Sequence, residues 1–466
     1  MLFPTFGFLL FFLVVAAALA ALGPRFEAKK AVLVVASYYF YAAWDWHFCF
    51  LLAFSSAVSF TAGLLIAKHE RHKRPILTVA VTIHLLLLGT FKYLDFLTLS
   101  ANRLAHLLDL HAELPFIEVI LPVGISFFTF HGISYVVDVY RGDVAVCRRP
   151  LDMLLYMSFF PQLVAGPIVR ASYFLPQLQR PSTGPIPVAT AVVLILGGLF
   201  KKVVIANYLA TGLADPVFGA PTSYGGPDLL LAAYAYAVQI YCDFSAYTDM
   251  AIAIAALCGF RFPRNFDQPY RAQRLREFWQ RWHISLSTWL RDYLYKPLGG
   301  NRYGRLKTYR NLMITMLLGG IWHGAGWKFV MWGAMHGGGL AVERMLGLGA
   351  RPVSLWAKVV STIVVFHFVC LAWIFFRAED FAVASLFIAG LFSRWSQGVQ
   401  QAGPFAVALI LIGMAEQFTP VRLFEPLSAW LERVPLWGIG VAAGIGVAIV
   451  NALGPEGVAP FIYFRF

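Results

Sequence analysis

The chain has 466 residues, of which 59% are hydrophobic and only 13% charged, and its formal net charge is +13. A water-soluble domain carries about a quarter charged residues, so this composition excludes an ordinary soluble protein and makes lipid the expected solvent. Lipid cannot satisfy an open backbone, which predicts an all-α polytopic integral membrane protein.

A hydrocarbon core about 30 Å thick takes a helix of roughly 20 residues. The first such run covers residues 2–22. No Lys or Arg precedes it, whereas Arg25, Lys29 and Lys30 follow, so a retained first helix is expected rather than a secretory leader. Apolar runs follow over residues 31–67 and from residue 75 past 91. Basic loops favour the cytoplasm, which places Arg25, Lys29 and Lys30 inside, residues 44–47 outside, residues 68–74 inside, residues 95–113 outside, and Arg141, Arg148 and Arg149 inside. Beyond Leu151, Pro161, Pro167, Pro176, Pro181, Pro185 and Pro187 break the runs, and short hairpins are expected.

The next long run, residues 229–259, leads into the most polar part of the chain. Residues 261–310 hold twelve basic and three acidic side chains, +9 of the net +13. Charge bias makes this loop cytoplasmic, facing anionic headgroups and a phosphate-bearing ligand rather than nucleic acid. Further apolar runs cover residues 312–346, 359–376, 381–392, 405–418 and 436–450. The expected total is about eleven to thirteen membrane segments in one domain, residues 1–466. The five cysteines show no CxxC or Cys/His ligand spacing, and no GxSxG, HExxH or GxxxxGK[ST] motif is present.

Three segments carry ionisable groups in apolar surroundings, where such groups are expensive. In residues 319–327, His323 sits among four glycines beside Trp322 and Trp327. Burial biases an imidazole toward its neutral, proton-accepting form. Two readings stay open for His323: a general base, or a histidine hydrogen-bonded to a neighbouring helix. Residues 276–292 place Trp279, Trp282, His283, Leu286, Trp289 and Leu290 on one face of an expected amphipathic helix, which serves equally as an interfacial anchor. Within the 229–259 run, Gln239, Asp243 and Tyr247 share one helical face, as do Ser245 and Asp249. The carboxylates need partners, expected from arginines of the following loop or from a histidine. A transporter or an assembly scaffold fits these features as well as an enzyme does.

The combination of Trp279, His283, Lys296-Pro297-Leu298-Gly299-Gly300 and Gly320-Ile321-Trp322-His323-Gly324 resembles the signature of membrane-bound O-acyltransferases. Residues 121–127, 160–168 and Asp243-Phe244-Ser245 are similar to the bacterial branch, which acetylates alginate, peptidoglycan or cellulose, or D-alanylates teichoic acid. The resemblance spans nearly the whole chain. It implies a ring of tilted helices with re-entrant segments around a central channel, and transfer of an acetyl group from a cytosolic thioester, acetyl-CoA, to an exported polysaccharide such as alginate. It assigns His323 and His283 as catalytic, His283 at the second polar position, which varies in the family. Trp279, Trp322, Asp243 and Asp249 are expected to line or position the channel. The resemblance also implies residence in the bacterial inner membrane, no metal, and a periplasmic partner of the SGNH-hydrolase type that completes transfer to polymer. The C-terminal residues 460–466 are aromatic and too short to span, and the family's similar tails suggest Tyr463 as an acyl relay, against the plainer reading of an interfacial anchor.

Overall fold

The computed structural model describes residues 3–110, 114–116, 119–180, 184, 186–348, 354–420 and 425–454. Among them every regular element is helical and none is a strand. Tyr463 and residues 460–466 lie outside the described residues.

Among the described residues, six helices are long and apolar enough to cross a membrane: Phe48–Lys68, Glu70–Leu107, Val188–Gly219, Gly226–Leu257, Leu355–Arg377 and Leu436–Leu453. Shorter apolar helices, Phe6–Ala21, Phe381–Ser393 and Pro404–Glu416, add to them. Many outward side chains are large and apolar, such as Phe6, Phe50, Trp356 and Trp437. Water would penalise such a surface and lipid does not. The chain is therefore a multi-pass membrane protein.

Two compact units form. The first comprises residues 1–186, 255–262 and 324–326, and the second residues 187–254, 263–323 and 327–466. In the first unit, α1 (Phe6–Ala21), α2 (Phe26–Ala42), α3 (Phe48–Lys68), α4 (Lys73–Leu88), α5 (Leu94–Leu107) and α6 (Ile125–Arg141) are followed by short helices α7 (Pro150–Ser158) and α8 (Ala171–Gln179), where the prolines cluster. Lys30 of α2 is fully buried and reaches Asp152 of α7 at 2.6 Å and the Leu178 carbonyl at 3.3 Å. On α4, His84 bonds Ser55 and Ser59 of α3 at 3.3 and 3.1 Å, beside Gly132 of α6, where a methyl group would overlap the imidazole.

The second unit opens with α9 (Val188–Leu199), which passes into a π-helical turn at Phe200–Ala206. Its largest element is α10 (Gly226–Leu257), 32 residues long and buried over most of its length. Two short helices follow, α11 (Leu275–Arg281) and α12 (Ile284–Leu290), and then a hairpin of α13 (Arg305–His323) and α14 (Trp327–Met345). The single apolar run expected over residues 312–346 is thus two helices. Their backbones touch because Gly320 and Gly333 lack side chains: a methyl group on Gly320 would overlap the Phe329 carbonyl oxygen, and one on Gly333 the Met316 carbonyl oxygen. The unit is completed by α15 (Leu355–Arg377), α16 (Phe381–Ser393), α17 (Pro404–Glu416) and α18 (Leu436–Leu453).

Candidate active site

One continuous amphipathic helix over residues 276–292 does not form. It breaks at Trp282 and His283, and His283 adopts a left-handed backbone, φ 41° and ψ 57°. No glycine or proline marks the break. Its cause is a bracing segment: the Asn265 carbonyl accepts the Ile284 N–H at 2.9 Å, and the Asn265 side chain accepts the Ser285 N–H at 3.0 Å. A non-glycine residue in this region is strained and persists only where its surroundings hold it. The apolar face is as expected, with Trp279, Trp282 and Trp289 all buried.

His283 is fully buried, with its ring 4.7 Å from Phe244 of α10 and 5.9 Å from Trp322. Neither of its ring nitrogens has a partner among the described residues. Burial pushes its pKa down to about 3, so the imidazole is neutral near pH 7. His323 is the last residue of α13 and is 3% exposed. Trp322, Trp332 and Phe376 surround it edge-on at centroid distances of 5.1, 5.0 and 5.3 Å. Trp322 thus contacts both histidines, and the two share one aromatic chamber.

Trp279 connects this chamber to a cavity. Its ring lies 5.6 Å from Trp332, and it also lines a space of about 950 Å³. Arg276, Arg291, Lys296, Arg302 and Arg344 line the same cavity, against the single carboxylate of Glu343. Two of these cations, Arg291 and Lys296, pair with Asp292 at 2.9 and 2.8 Å. Glu343 caps the start of α11 by accepting the Leu275 and Arg276 N–H groups at 2.5 and 3.3 Å. The Lys296 to Gly300 motif builds the cavity rim. Gly299 and Gly300 take φ values of 107° and 57°, and Asn311 clamps the turn by donating to the Leu298 and Gly300 carbonyls. A cationic cavity can accept an anionic ligand, and a buried imidazole joined to it by packed aromatic rings can take a proton from a hydroxyl out of water.

Asp243 and Asp249 of α10 pair with lysines, where the sequence pointed to arginines of the following loop or a histidine. Lys202 pairs with Asp243 at 2.8 Å, both nearly inaccessible, and Lys201 pairs with Asp249 at 2.6 Å while donating to Ser245 at 3.0 Å. These lysines belong to the π-helical turn and precede α10 in the chain. Tyr241 adds a bond to Glu416 of α17 at 3.1 Å. Asp243 and Asp249 therefore tie the turn to α10, and Asp243 does so one residue from the Phe244 that packs on His283. The sequence did contain a signal for this, because Lys201 and Lys202 interrupt an apolar run. His336 on α14 was also passed over, although it lies in the same apolar run as His323.

The model of the membrane-bound O-acyltransferase family matches residues 148–384, which hold both histidines and the whole cavity lining. The probable alginate O-acetylase AlgI of Pseudomonas putida is 38% identical over 465 residues, covering 94% of each chain. The peptidoglycan O-acetyltransferase of Helicobacter pylori is 37% identical over 417 residues, covering 83% of this chain and 77% of its own. The teichoic acid D-alanyltransferase of Streptococcus thermophilus is 29% identical over 282 residues, covering 54% of this chain and 68% of its own.

Proposed function

Because this chain belongs to the membrane-bound O-acyltransferase family and is an acyltransferase, we propose that it takes an acetyl group from cytosolic acetyl-CoA for O-acetylation of an exported polysaccharide, alginate being the first candidate. The observation that carries the reading is the cationic cavity lined by Trp279, whose ring packs on Trp332, which in turn packs on the buried His323. The polyanionic part of acetyl-CoA suits the cavity, and its thioester arm suits the aromatic rings. His323 takes the proton of the acceptor hydroxyl as the oxygen attacks the thioester carbonyl. The new C–O bond forms, the C–S bond breaks, and the departing thiolate recovers the proton. His283 orients the acceptor, held by its strained backbone. The walls formed by Trp322, Trp332 and Phe376 keep out water that would hydrolyse the thioester.

A polymer cannot enter so enclosed a chamber, so the acetyl group is relayed. In this proposal the protein sits in the bacterial inner membrane, and an SGNH-hydrolase-like partner on the envelope side completes the transfer. Tyr463 is the proposed first acceptor: a phenol with a pKa of about 10 deprotonates more easily than a sugar hydroxyl, and its ester is the more reactive acyl donor. Tyr463→Phe keeps the ring and removes the oxygen, and is expected to abolish polymer acetylation while Phe464→Leu is tolerated. Normal acetylation by Tyr463→Phe removes the relay from the account.

The cavity predicts a kinetic signature. Arg276→Ala combined with Arg344→Ala is expected to raise KM for acetyl-CoA about fivefold, on the order of 1 kcal/mol, with kcat nearly unchanged, because partly exposed charges contribute modestly to binding. Added salt should raise the wild-type KM in the same direction. A KM indifferent to both would send the donor elsewhere.

A further inference from the structure

The α14 helix holds a buried histidine that the mechanism so far leaves idle. His336 is fully inaccessible, its ring 4.7 Å from Trp332, 5.1 Å from Trp279 and 6.1 Å from Phe278. Trp279 donates its indole N–H to His336 Nδ1 at 3.2 Å. An indole N–H is a donor only, so Nδ1 carries no hydrogen and the neutral ring holds its proton on Nε2. That Nε2 has no acceptor among the described residues. Trp332 lies four residues earlier, on the same face of α14, and it too buries an indole N–H with no acceptor among the described residues. The Trp332 ring is also the one that contacts His323 at 5.0 Å.

Leaving a buried donor unpaired is costly, and two of them in contact on one face of α14, with the Trp332 ring against a proton acceptor, ask for a common explanation. Such a wall is complementary to an oxygen that gains negative charge during reaction. Resting on the role given to His323 above, we propose that His336 Nε2–H and Trp332 Nε1–H receive the carbonyl oxygen of the donor thioester. As the acceptor oxygen attacks, the carbonyl π pair moves onto that oxygen and the two N–H groups stabilise it. Collapse re-forms the C=O bond, expels the thiolate, and returns the proton from His323 to sulfur. Thioester and hydroxyl become oxygen ester and thiol, with nothing gained or lost. The Trp279 bond is then a positioning contact, since it sets the tautomer that makes His336 a donor.

Two substitutions separate the halves of the imidazole. Gln at 336 keeps a donor near the Nε2 position, and Asn keeps an acceptor near the Nδ1 position. With purified full-length protein and acetyl-CoA, His336→Asn is expected to lose about a hundredfold in kcat with KM within threefold, while His336→Gln stays within about tenfold of wild type. Trp332→Phe, which keeps a ring and removes the N–H, should also lower kcat at an unchanged KM. The reverse order, with His336→Asn active and His336→Gln impaired, overturns the proposal and leaves His336 as a support for Trp279. Equal kcat values for the two His336 variants overturn it as well, as does a wild-type kcat in Trp332→Phe. Wild-type protein that transfers nothing from acetyl-CoA overturns the proposed function itself and this step with it, which distinguishes that failure from any of the variant results.

Discussion

Replacing His323 by alanine is expected to lower acetylation about a hundredfold to ten-thousandfold, the usual loss when a general base is removed. The corresponding rise in barrier is roughly 3 to 5 kcal/mol. The prediction rests on the place of His323 at the end of α13, where three aromatic rings enclose it and water is kept from the imidazole. The scaffold should survive, because the α13 to α14 hairpin is held by the close approach at Gly320 and Gly333 rather than by the imidazole. Polymer acetylation in cells, compared at matched membrane levels of the two proteins, reads the effect. Normal acetylation by His323→Ala would leave the chamber without its proton acceptor and favour a scaffold role for the chain.

Breaking the buried pair between Lys202 and Asp243 is expected to cost about 3 to 5 kcal/mol of stability, because the remaining charge is left in apolar surroundings without its counter-ion. Lys202→Met and Asp243→Leu should each depress the thermal midpoint of the detergent-solubilised protein. The double variant, which removes both charges, should recover most of the loss. The pair joins the π-helical turn to α10 beside Phe244, so the single variants should also disturb His283 and lower activity. Single variants as stable as wild type, or a double variant no better than either single, would show that the pair does not hold this part of the fold.

Much of the architecture was legible in the residues. The long apolar run with Gln239, Asp243 and Tyr247 on one face is a single buried helix, whereas the run over residues 312–346 gave no sign that it folds as a close helical hairpin. The break at His283 was not legible, because nothing local forbids a helix through residues 276–292. The break is imposed by Asn265, about twenty residues away in sequence, which claims the Ile284 and Ser285 N–H groups. Lys201 and Lys202 were missed for a related reason. A helical face shows that a carboxylate is buried, but only tertiary packing shows which cation comes to it, and these two lie more than about forty residues before the carboxylates they reach. The cavity depends on packing in the same way: its cations come from α11, the start of the π-helical turn after α12, the glycine turn and α14, and the sequence showed only that most of them belong to one basic loop.

The most direct measurement is a single turnover of purified full-length protein with acetyl-CoA carrying a labelled acetyl group. The account predicts that wild-type protein transfers the label to a hydroxyl acceptor with release of free thiol, and that His323→Ala does neither at a comparable rate. Transfer that requires a thioester on a carrier protein, with acetyl-CoA inert, would contradict the proposed donor and favour chemistry like that of the D-alanyltransferase relatives. Equal turnover by wild type and His323→Ala would contradict the central claim.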